Sequence, residues 1–304
     1  MAIKKRKTDK KTKRSRKLSF LQKFKLFPLL LILLAILGLL YIPFRPTLKT
    51  STKEYKEMTK LPSDVKGTMK KNSTSESFRV PILIYHYVEN VADKKDTIRQ
   101  SLNIPPFIFE KQIETLADNG YKFITPLDLA DILDSKEELP QKPVIISFDD
   151  GYRDFYTDVL PILKKHDVKT IAYIIPGFLD KPNYMYTWQV FDLLSSGLVE
   201  IGAHTVNHAY LKGLSKEKAE YEIKQSKVML EKKLNIPIVS FAYPYGAFDL
   251  EAIDIVKSAG YKTAVSTITG NEVNEKDRFF LFRIHPGGRI GKELINALEQ
   301  EYPK

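Results

Sequence analysis

The stretch "VIISFDDGY", residues Val144 to Tyr152, decides the fold. Three apolar residues and a Ser-Phe pair lead directly into two adjacent carboxylates, Asp149 and Asp150, and then a glycine. A short apolar run that ends at turn residues is typical of a buried strand in a parallel sheet. Two neighbouring carboxylates at such a position cost free energy unless a cation or hydrogen-bond donors compensate them. The stretch therefore predicts a buried strand that ends at a charged site.

Strand-like and helix-like segments alternate at least six times on either side of this stretch. The other strand patterns include "VPILIYH" (80–86), "KTIAYII" (169–175), "VEIGAH" (199–204), "IVSFAYP" (238–244) and "RFFLFRI" (278–284). Helical patterns of ten or more residues separate most of them, which favours parallel strands with crossover helices. We therefore expect an α/β protein with a distorted (β/α) barrel of about seven strands.

Polar residues recur at one position in this pattern, at or just past the end of a predicted strand. They are His86, Asp149 with Asp150, His204, Pro244 with Tyr245, and Arg283 with His285. The carboxyl ends of the strands in a β/α barrel meet at one face, where active sites form. The pattern therefore predicts a single site built from five strand ends.

The segment "AHTVNH" carries two of the five histidines of the chain, four residues apart. On a helical turn, residues four apart point the same way, so His204 and His208 can reach one cation. A carboxylate, Asp149 or Asp150, would supply a third ligand. Because the chain has no cysteine, thiolate ligands and disulfides are excluded. We expect a divalent metal ion, with zinc as the default and nickel, cobalt or iron as alternatives.

The motifs "SFDDG", "HTVNH" and "AYPYG" resemble, in this order, those of the polysaccharide deacetylase family, also called the NodB-homology family or carbohydrate esterase family 4. The resemblance covers roughly residues 80–290. It implies that Asp149 is the general base, that the metal ligands are Asp150, His204 and His208, that Pro244 lines the substrate groove, and that the Tyr245 N–H helps to bind the oxyanion.

Two departures from the family pattern matter. The family usually has an arginine shortly before the Pro-Tyr pair to brace the catalytic aspartate, but this chain has Ala242-Tyr243 there. We expect Arg283 to take that place, on its strand-end position alone. The usual final Leu-x-His motif, which supplies the general acid, is also missing after the third motif.

A segment with the form of that final motif, "PILIYH", lies instead at the start of the domain and ends at His86. This order resembles the branch that removes N-acetyl groups from poly-β-1,6-N-acetylglucosamine. The first and last strands of a closed barrel are neighbours, so the exchange changes little in the geometry. His86 is therefore our candidate for the acid, and His285 is the alternative.

The basic excess of the chain lies in one tail. Residues 1–25 hold twelve Lys and Arg against one Asp, and the remaining residues carry 36 basic and 36 acidic groups. The main domain therefore has no basic excess for nucleic acid.

An uncharged stretch of 19 residues, 26–44, follows the tail and spans about 28 Å as a helix, close to the thickness of a bilayer core. We expect an uncleaved membrane anchor with a cytoplasmic N-terminus and an extracytoplasmic domain. A cleaved signal peptide is the alternative, although the stretch is long and no small-residue cleavage site follows. Residues 45–78 read as a flexible polar stalk and 79–304 as the deacetylase domain.

These features predict a hydrolase that releases acetate from N-acetylglucosamine units of a cell-surface or extracellular polysaccharide. Peptidoglycan or chito-oligosaccharides are alternative substrates, and a non-catalytic carbohydrate-binding module is an alternative function. A glycoside hydrolase fits less well, because its two carboxylates must face each other across the substrate. The oligomeric state is left open.

Overall fold

The computed structural model describes residues 60–69, 77–93, 95–135 and 137–302. The predicted basic tail (1–25) and membrane anchor (26–44) lie outside these ranges. Within the described part of the chain, no helix is both long enough and apolar enough to cross a membrane.

The described strands are short and most are buried. They are β1 (Phe78–Arg79), β2 (Ile82–Tyr85), β3 (Lys122–Phe123), β4 (Pro143–Phe148), β5 (Thr170–Ile174), β6 (Val199–Ala203), β7 (Ser240–Ala242), β8 (Thr263–Thr269), β9 (Glu272–Val273) and β10 (Leu281–Arg283). The helices between and around them are α1 (Ser63–Met69), α2 (Thr97–Leu102), α3 (Pro106–Asp118), α4 (Pro126–Leu133), α5 (Leu160–His166), α6 (Thr187–Ser195), α7 (Lys216–Leu234), α8 (Leu250–Ser258) and α9 (Gly291–Glu299).

Seven strands form a parallel sheet in the order β10-β8-β7-β6-β5-β4-β2, and β3 pairs with the start of β4. The two ends of this sheet meet. The Ile84 N–H donates to the Ile284 carbonyl at 3.0 Å, and the Ile284 N–H donates to the Ile82 carbonyl at 2.8 Å. The result is a nearly closed barrel of seven strands, and the expectation that the first and last strands are neighbours is confirmed.

The sequence pattern explains why these elements pack as they do. Every residue of β4 is buried, as expected for a strand covered on both faces. On α3, Phe109, Ile113 and Leu116 lie on one face of the helix and are fully buried. Asp249 caps α8, since its side chain accepts a hydrogen bond from the Ala252 N–H.

One predicted helix has an irregular first turn. The pattern of residues 152–166 predicts a single helix, but the structure has a π-helical turn at Phe155–Val159 before α5. There the Leu160 N–H donates to the Phe155 carbonyl. Pro161 has no N–H to continue the α-helical ladder at this point, which is consistent with a local change of register.

The segment expected to be a flexible stalk contains α1, and there the structure differs from the expectation. Val65 on this helix is buried against the main core, and the Asp64 side chain accepts a hydrogen bond from the Leu250 N–H at 3.2 Å. This helix has only two apolar residues, Val65 and Met69, which are too few to establish a helical period, so the sequence did not indicate this packing.

Candidate active site

The two adjacent carboxylates part at the end of β4. This strand ends at Phe148, and Asp150 has a left-handed backbone conformation with φ of 74°. The two side chains are therefore directed apart by a turn after the strand and not by the alternation of a regular strand. Both side chains are nevertheless almost fully buried, so each needs a partner.

The partner of Asp149 is Arg283, which is completely buried at the end of β10. Its two terminal nitrogens donate to the two carboxylate oxygens, Nη1 to Oδ1 at 2.8 Å and Nη2 to Oδ2 at 2.7 Å. Its Nε donates to the Ser266 carbonyl, which fixes the plane of the guanidinium group. Burial alone would raise the pKa of the Asp149 carboxyl, but the charge and hydrogen bonds of Arg283 hold it below its ordinary value.

Asp150 meets both predicted histidine ligands. Its Oδ1 lies 3.3 Å from His204 Nε2 and 3.2 Å from His208 Nε2. The His204 Nδ1 lies 2.7 Å from the Ala242 carbonyl, to which it donates, so its Nε2 is left as the acceptor and ligand atom. The three ligand atoms lie within 4.8 Å of one another, a spacing that one metal ion could bridge.

The two histidines do not converge through a helical turn. Residues 204–208 form an irregular turn in which Thr205 and His208 have φ of 57° and 59°. The buried side chain of Glu222 on α7 holds this turn, since its Oε2 accepts the N–H groups of Val206 and Asn207, both at 2.9 Å. The predicted proximity of the two imidazoles holds, but its physical cause is a strained and clamped loop.

Pro244 and Tyr245 follow β7 and close another side of the site. Tyr245 also has a left-handed conformation, with φ of 59°, and its hydroxyl lies 3.0 Å from His208 Nδ1. The next residue, Gly246, lies so close to Thr267 that an added Cβ would stand 2.0 Å from its hydroxyl oxygen. A glycine is therefore required there, and the tight turn fixes the position of Tyr245.

His86 and His285 lie side by side after the two strands that close the barrel. Their rings are nearly parallel, with centroids 6.4 Å apart. Burial lowers the pKa of His86, although the charges of Asp150 and Asp149 oppose that effect. Burial, together with the neighbouring His86 and Arg283, lowers the pKa of His285 to about 4.

Sequence reasoning missed two residues that position the site, Glu222 and Gln112. Both are polar residues within an otherwise apolar helical stripe. Glu222 lies between Ala219 and Ile223 on the buried face of α7, and Gln112 lies next to Ile113 on α3. That interruption of the stripe is the signal that could have identified them.

The structure combines a parallel barrel with an Asp-His-His cluster and an arginine-bound aspartate at the carboxyl ends of its strands. This combination is typical of one class of protein, the hydrolytic barrels whose site can bind a metal ion. Comparison with known proteins gives the particular family. Residues 136–264 match the family description "Polysaccharide deacetylase". The matched segment contains all three motifs, and the resemblance to this family that they carry is confirmed.

Similar proteins support this assignment. YxkH of Bacillus subtilis (strain 168), a protein named as a polysaccharide deacetylase, is 28% identical over 211 residues, covering 69% of this chain and 72% of its own length. The poly-beta-1,6-N-acetyl-D-glucosamine N-deacetylase of Staphylococcus aureus (strain MSSA476) is 27% identical over 199 residues. That match covers 60% of this chain and 65% of the staphylococcal protein, just under two thirds of its length.

Among solved structures, the deacetylase PplD of Streptococcus pyogenes, determined in complex with acetate, has a TM-score of 0.68 and 29% sequence identity to this chain. The match covers 74% of this chain and all of the PplD chain. The whole PplD chain, which is a deacetylase, therefore shares the fold of the barrel described above.

Proposed function

We propose that this chain is a metal-dependent hydrolase that removes N-acetyl groups from N-acetylglucosamine units of a cell-surface or extracellular polysaccharide and releases acetate. The observation that carries the proposal is the pairing of two differently compensated carboxylates at one site. Asp149 is held ionised by Arg283, whereas Asp150 faces two imidazole nitrogens.

The residues around Asp150 fit a divalent cation. Its Oδ1 is buried and has no hydrogen-bond partner within the described ranges, and two histidine Nε2 atoms lie within 3.3 Å of it. Asp150, His204 and His208 would hold the ion, with zinc as the default and nickel, cobalt or iron as alternatives. Once bound there, the cation would polarise the acetamide carbonyl and lower the pKa of water.

The other catalytic and binding roles fall to residues of the chain itself. Asp149 accepts a proton from the attacking water, because its lowered pKa keeps it ionised at neutral pH. The Tyr245 N–H, which makes no hydrogen bond within the described residues, is free to stabilise the oxyanion of the tetrahedral intermediate. Pro244, which is buried, lines the groove beside it.

His86 donates the proton that lets the amine depart. Its lowered pKa keeps the imidazole neutral at pH 7, so it donates only after the proton that Asp149 took from the water has passed to it. Arg283 disfavours the protonated form of both histidines. The larger charge effects on His86 come from Asp150 and Asp149 and favour its protonated form, whereas the larger ones on His285 come from His86 and Arg283 and disfavour it. We therefore keep His86 as the acid in preference to His285.

Two observations support a β-1,6-linked polymer as the substrate. The acid motif lies at the start of the domain, as in the branch that the sequence resembles, and the staphylococcal relative is named for that activity. The basic tail and the uncharged stretch 26–44 support anchoring in the cell membrane with the domain outside.

The decisive experiment measures acetate release by the full-length chain, after metal removal and after addition of single divalent metals. The substrates are β-1,6- and β-1,4-linked N-acetylglucosamine oligomers of equal length. We expect release only with metal and preferentially from the β-1,6 oligomer. Preference for the β-1,4 oligomer would point to peptidoglycan or chito-oligosaccharides, and binding without acetate release would point to a non-catalytic module.

The role of Asp149 is tested with Asp149→Asn, which keeps the size of the side chain. We expect a loss of activity on the order of a thousandfold or more with the metal content unchanged, because a general base and its charge are removed together. A variant that kept its metal and full activity would refute the assignment.

A further inference from the structure

A cavity of about 480 Å³ opens beside the proposed acid, and its lining includes no residue of the Asp-His-His cluster. Its walls come from the end of β8, the segment after β10, and α9. His285 lines it, and the ring of His285 is the immediate neighbour of the His86 ring. Ligand pockets of this size typically hold a small molecule or one unit of a polymer.

The walls of this cavity are fixed by two buried amide side chains. Gln112 donates to the carbonyls of Gly287 and Arg289, at 2.7 and 2.9 Å, and so holds the loop after β10. Asn271 donates to the carbonyls of Leu298 and Gln300, at 2.7 and 3.0 Å, and so holds the end of α9. A cavity whose opposite walls are both tied to the barrel core is preformed, which reduces the ordering cost of binding.

The side chains that line the cavity are suited to bind a neutral, hydroxyl-rich ligand. Glu293, Asn296 and Gln300 project from one side of α9 and its end, and Thr269 and Tyr302 complete the wall with a hydroxyl and an aromatic ring. A single arginine, Arg289, faces this set, and its Nη1 already donates to the carbonyls of His285 and Pro286. One cation balanced by one carboxylate does not suit a polyanion, and the polar side chains do not suit an apolar ligand.

We propose that this cavity is a saccharide subsite that binds the sugar unit next to the one whose acetyl group is removed. The proposal rests on the proposed deacetylase function and adds the place where the neighbouring unit binds. Amide and carboxylate side chains would hydrogen-bond to its hydroxyl groups, and the Tyr302 ring would contact its apolar face.

The test compares a single sugar with an oligomer in the full-length chain. The methyl glycoside of N-acetylglucosamine cannot reach the cavity, whereas a β-1,6-linked pentamer can. Ala297→Trp fills the cavity, and the double substitution Glu293→Ala with Asn296→Ala removes hydrogen-bonding groups at exposed positions. Lys292→Ala, exposed on the same helix and outside the lining, is the matched control.

We expect both cavity variants to raise KM for the pentamer about tenfold with kcat unchanged, because only binding of the ground state is lost. Their activity on the methyl glycoside and the behaviour of Lys292→Ala should equal those of the unmodified chain. The melting temperature identifies a variant that fails to fold, and the double variant at exposed positions remains informative if Ala297→Trp does so.

Pentamer binding measured by calorimetry separates this inference from the proposed function. Weaker binding in both cavity variants supports the subsite even if no acetate is released from any substrate. Active variants with an unchanged KM, or unchanged calorimetric affinity, would overturn the subsite and leave the deacetylase function intact.

Discussion

The two ends of the barrel carry charges in very different ways. At the amino-terminal end of the strands, Lys262 pairs with Asp131 and Arg278 pairs with Asp134, with side chains that keep part of their surface in water. At the carboxyl end, Arg283 and Asp149 are paired with almost no exposure. Exposed pairs contribute little to stability, whereas removing one partner of a buried pair is costly. The carboxyl end therefore depends on its charges in a way the other end does not.

The backbone shows the same contrast. Left-handed conformations at helix ends fall on Asp167 and Asn235, residue types that tolerate them well. At the site they fall not only on Asp150 and His208 but also on Thr205 and Tyr245, a β-branched and an aromatic residue that tolerate them poorly. Strain held by the surrounding fold is typical of preorganised sites. The difference indicates that the carboxyl end gives up stability for a fixed geometry.

The largest expected effect comes from breaking the buried pair. Arg283→Met leaves the Asp149 carboxylate buried without a counter-charge, so we expect the free energy of unfolding to fall by about 3–5 kcal/mol. Adding Asp149→Asn to this variant should recover part of the loss, since the uncompensated charge is then absent. Urea unfolding of the single and double variants measures both effects. If the free energy of unfolding fell by less than about 1 kcal/mol, this pair would contribute as little to stability as the exposed pairs at the amino-terminal end.

Removal of a ligand from the Asp-His-His cluster is the next expected effect. His208→Ala should weaken the affinity for a divalent metal by more than about 100-fold, because even partners of metal ligands contribute 10–100-fold. Lys212→Ala is the matched control, since Lys212 is exposed in the loop after His208 and does not belong to the cluster. Metal titration measures the affinities. Equal affinities in the two variants would contradict the assignment of His208.

A pH experiment tests the opposite end of the barrel. Burial raises the pKa of Glu200, the second residue of β6, from 4.5 to about 7. Because the folded pKa lies above the unfolded one, the stability from its protonated form is complete below about pH 4.5 and is lost as the pH rises to about 7. The unmodified chain should therefore lose about 1–3 kcal/mol between pH 5 and pH 8 from this group alone.

The matched variant is Glu200→Gln, whose amide oxygen can still accept the hydrogen bond from the Leu127 N–H. Its free energy of unfolding, measured in urea at both pH values, should change less than that of the unmodified chain. Identical pH dependence in both chains would show that Glu200 does not titrate in this range.

The smallest expected effect concerns Tyr245, whose hydroxyl contacts His208. Tyr245→Phe removes only that contact, so we expect metal affinity to fall about tenfold, the lower range for partners of metal ligands. Tyr221→Phe, at an exposed position of α7, is the control and should not change it. If both variants bind metal equally well, the hydroxyl does not orient the imidazole.

The sequence alone was sufficient to predict the main strands and the residues that meet at the site. Apolar runs define strands locally, and the carboxyl ends of parallel strands must meet. The sequence alone therefore predicts that the polar residues at these ends lie close together. Arg283 was suggested by its strand-end position alone, and the structure places it on Asp149.

The missed features depend on contacts between distant parts of the chain. Glu222 lies on a long, highly charged helix, where its place in the apolar stripe is a weak local sign of burial that does not reveal its partners. The conformations of Thr205 and His208 oppose local preference and are imposed by that distant carboxylate. The role of a residue can be predicted from the sequence when its neighbours in the chain define that role. It cannot be predicted in this way when a partner in a distant part of the chain defines it.

The closure of the barrel between β2 and β10 has a consequence for its dynamics. Arg283 lies on β10 and reaches Asp149 at the end of β4, so its side chain bridges the junction that Ile84 and Ile284 close. Any fluctuation that separates these two strands also withdraws the counter-charge from Asp149. Opening of the junction and the protonation state of this carboxylate are therefore thermodynamically linked, and a proton on Asp149 should speed amide hydrogen exchange at the junction.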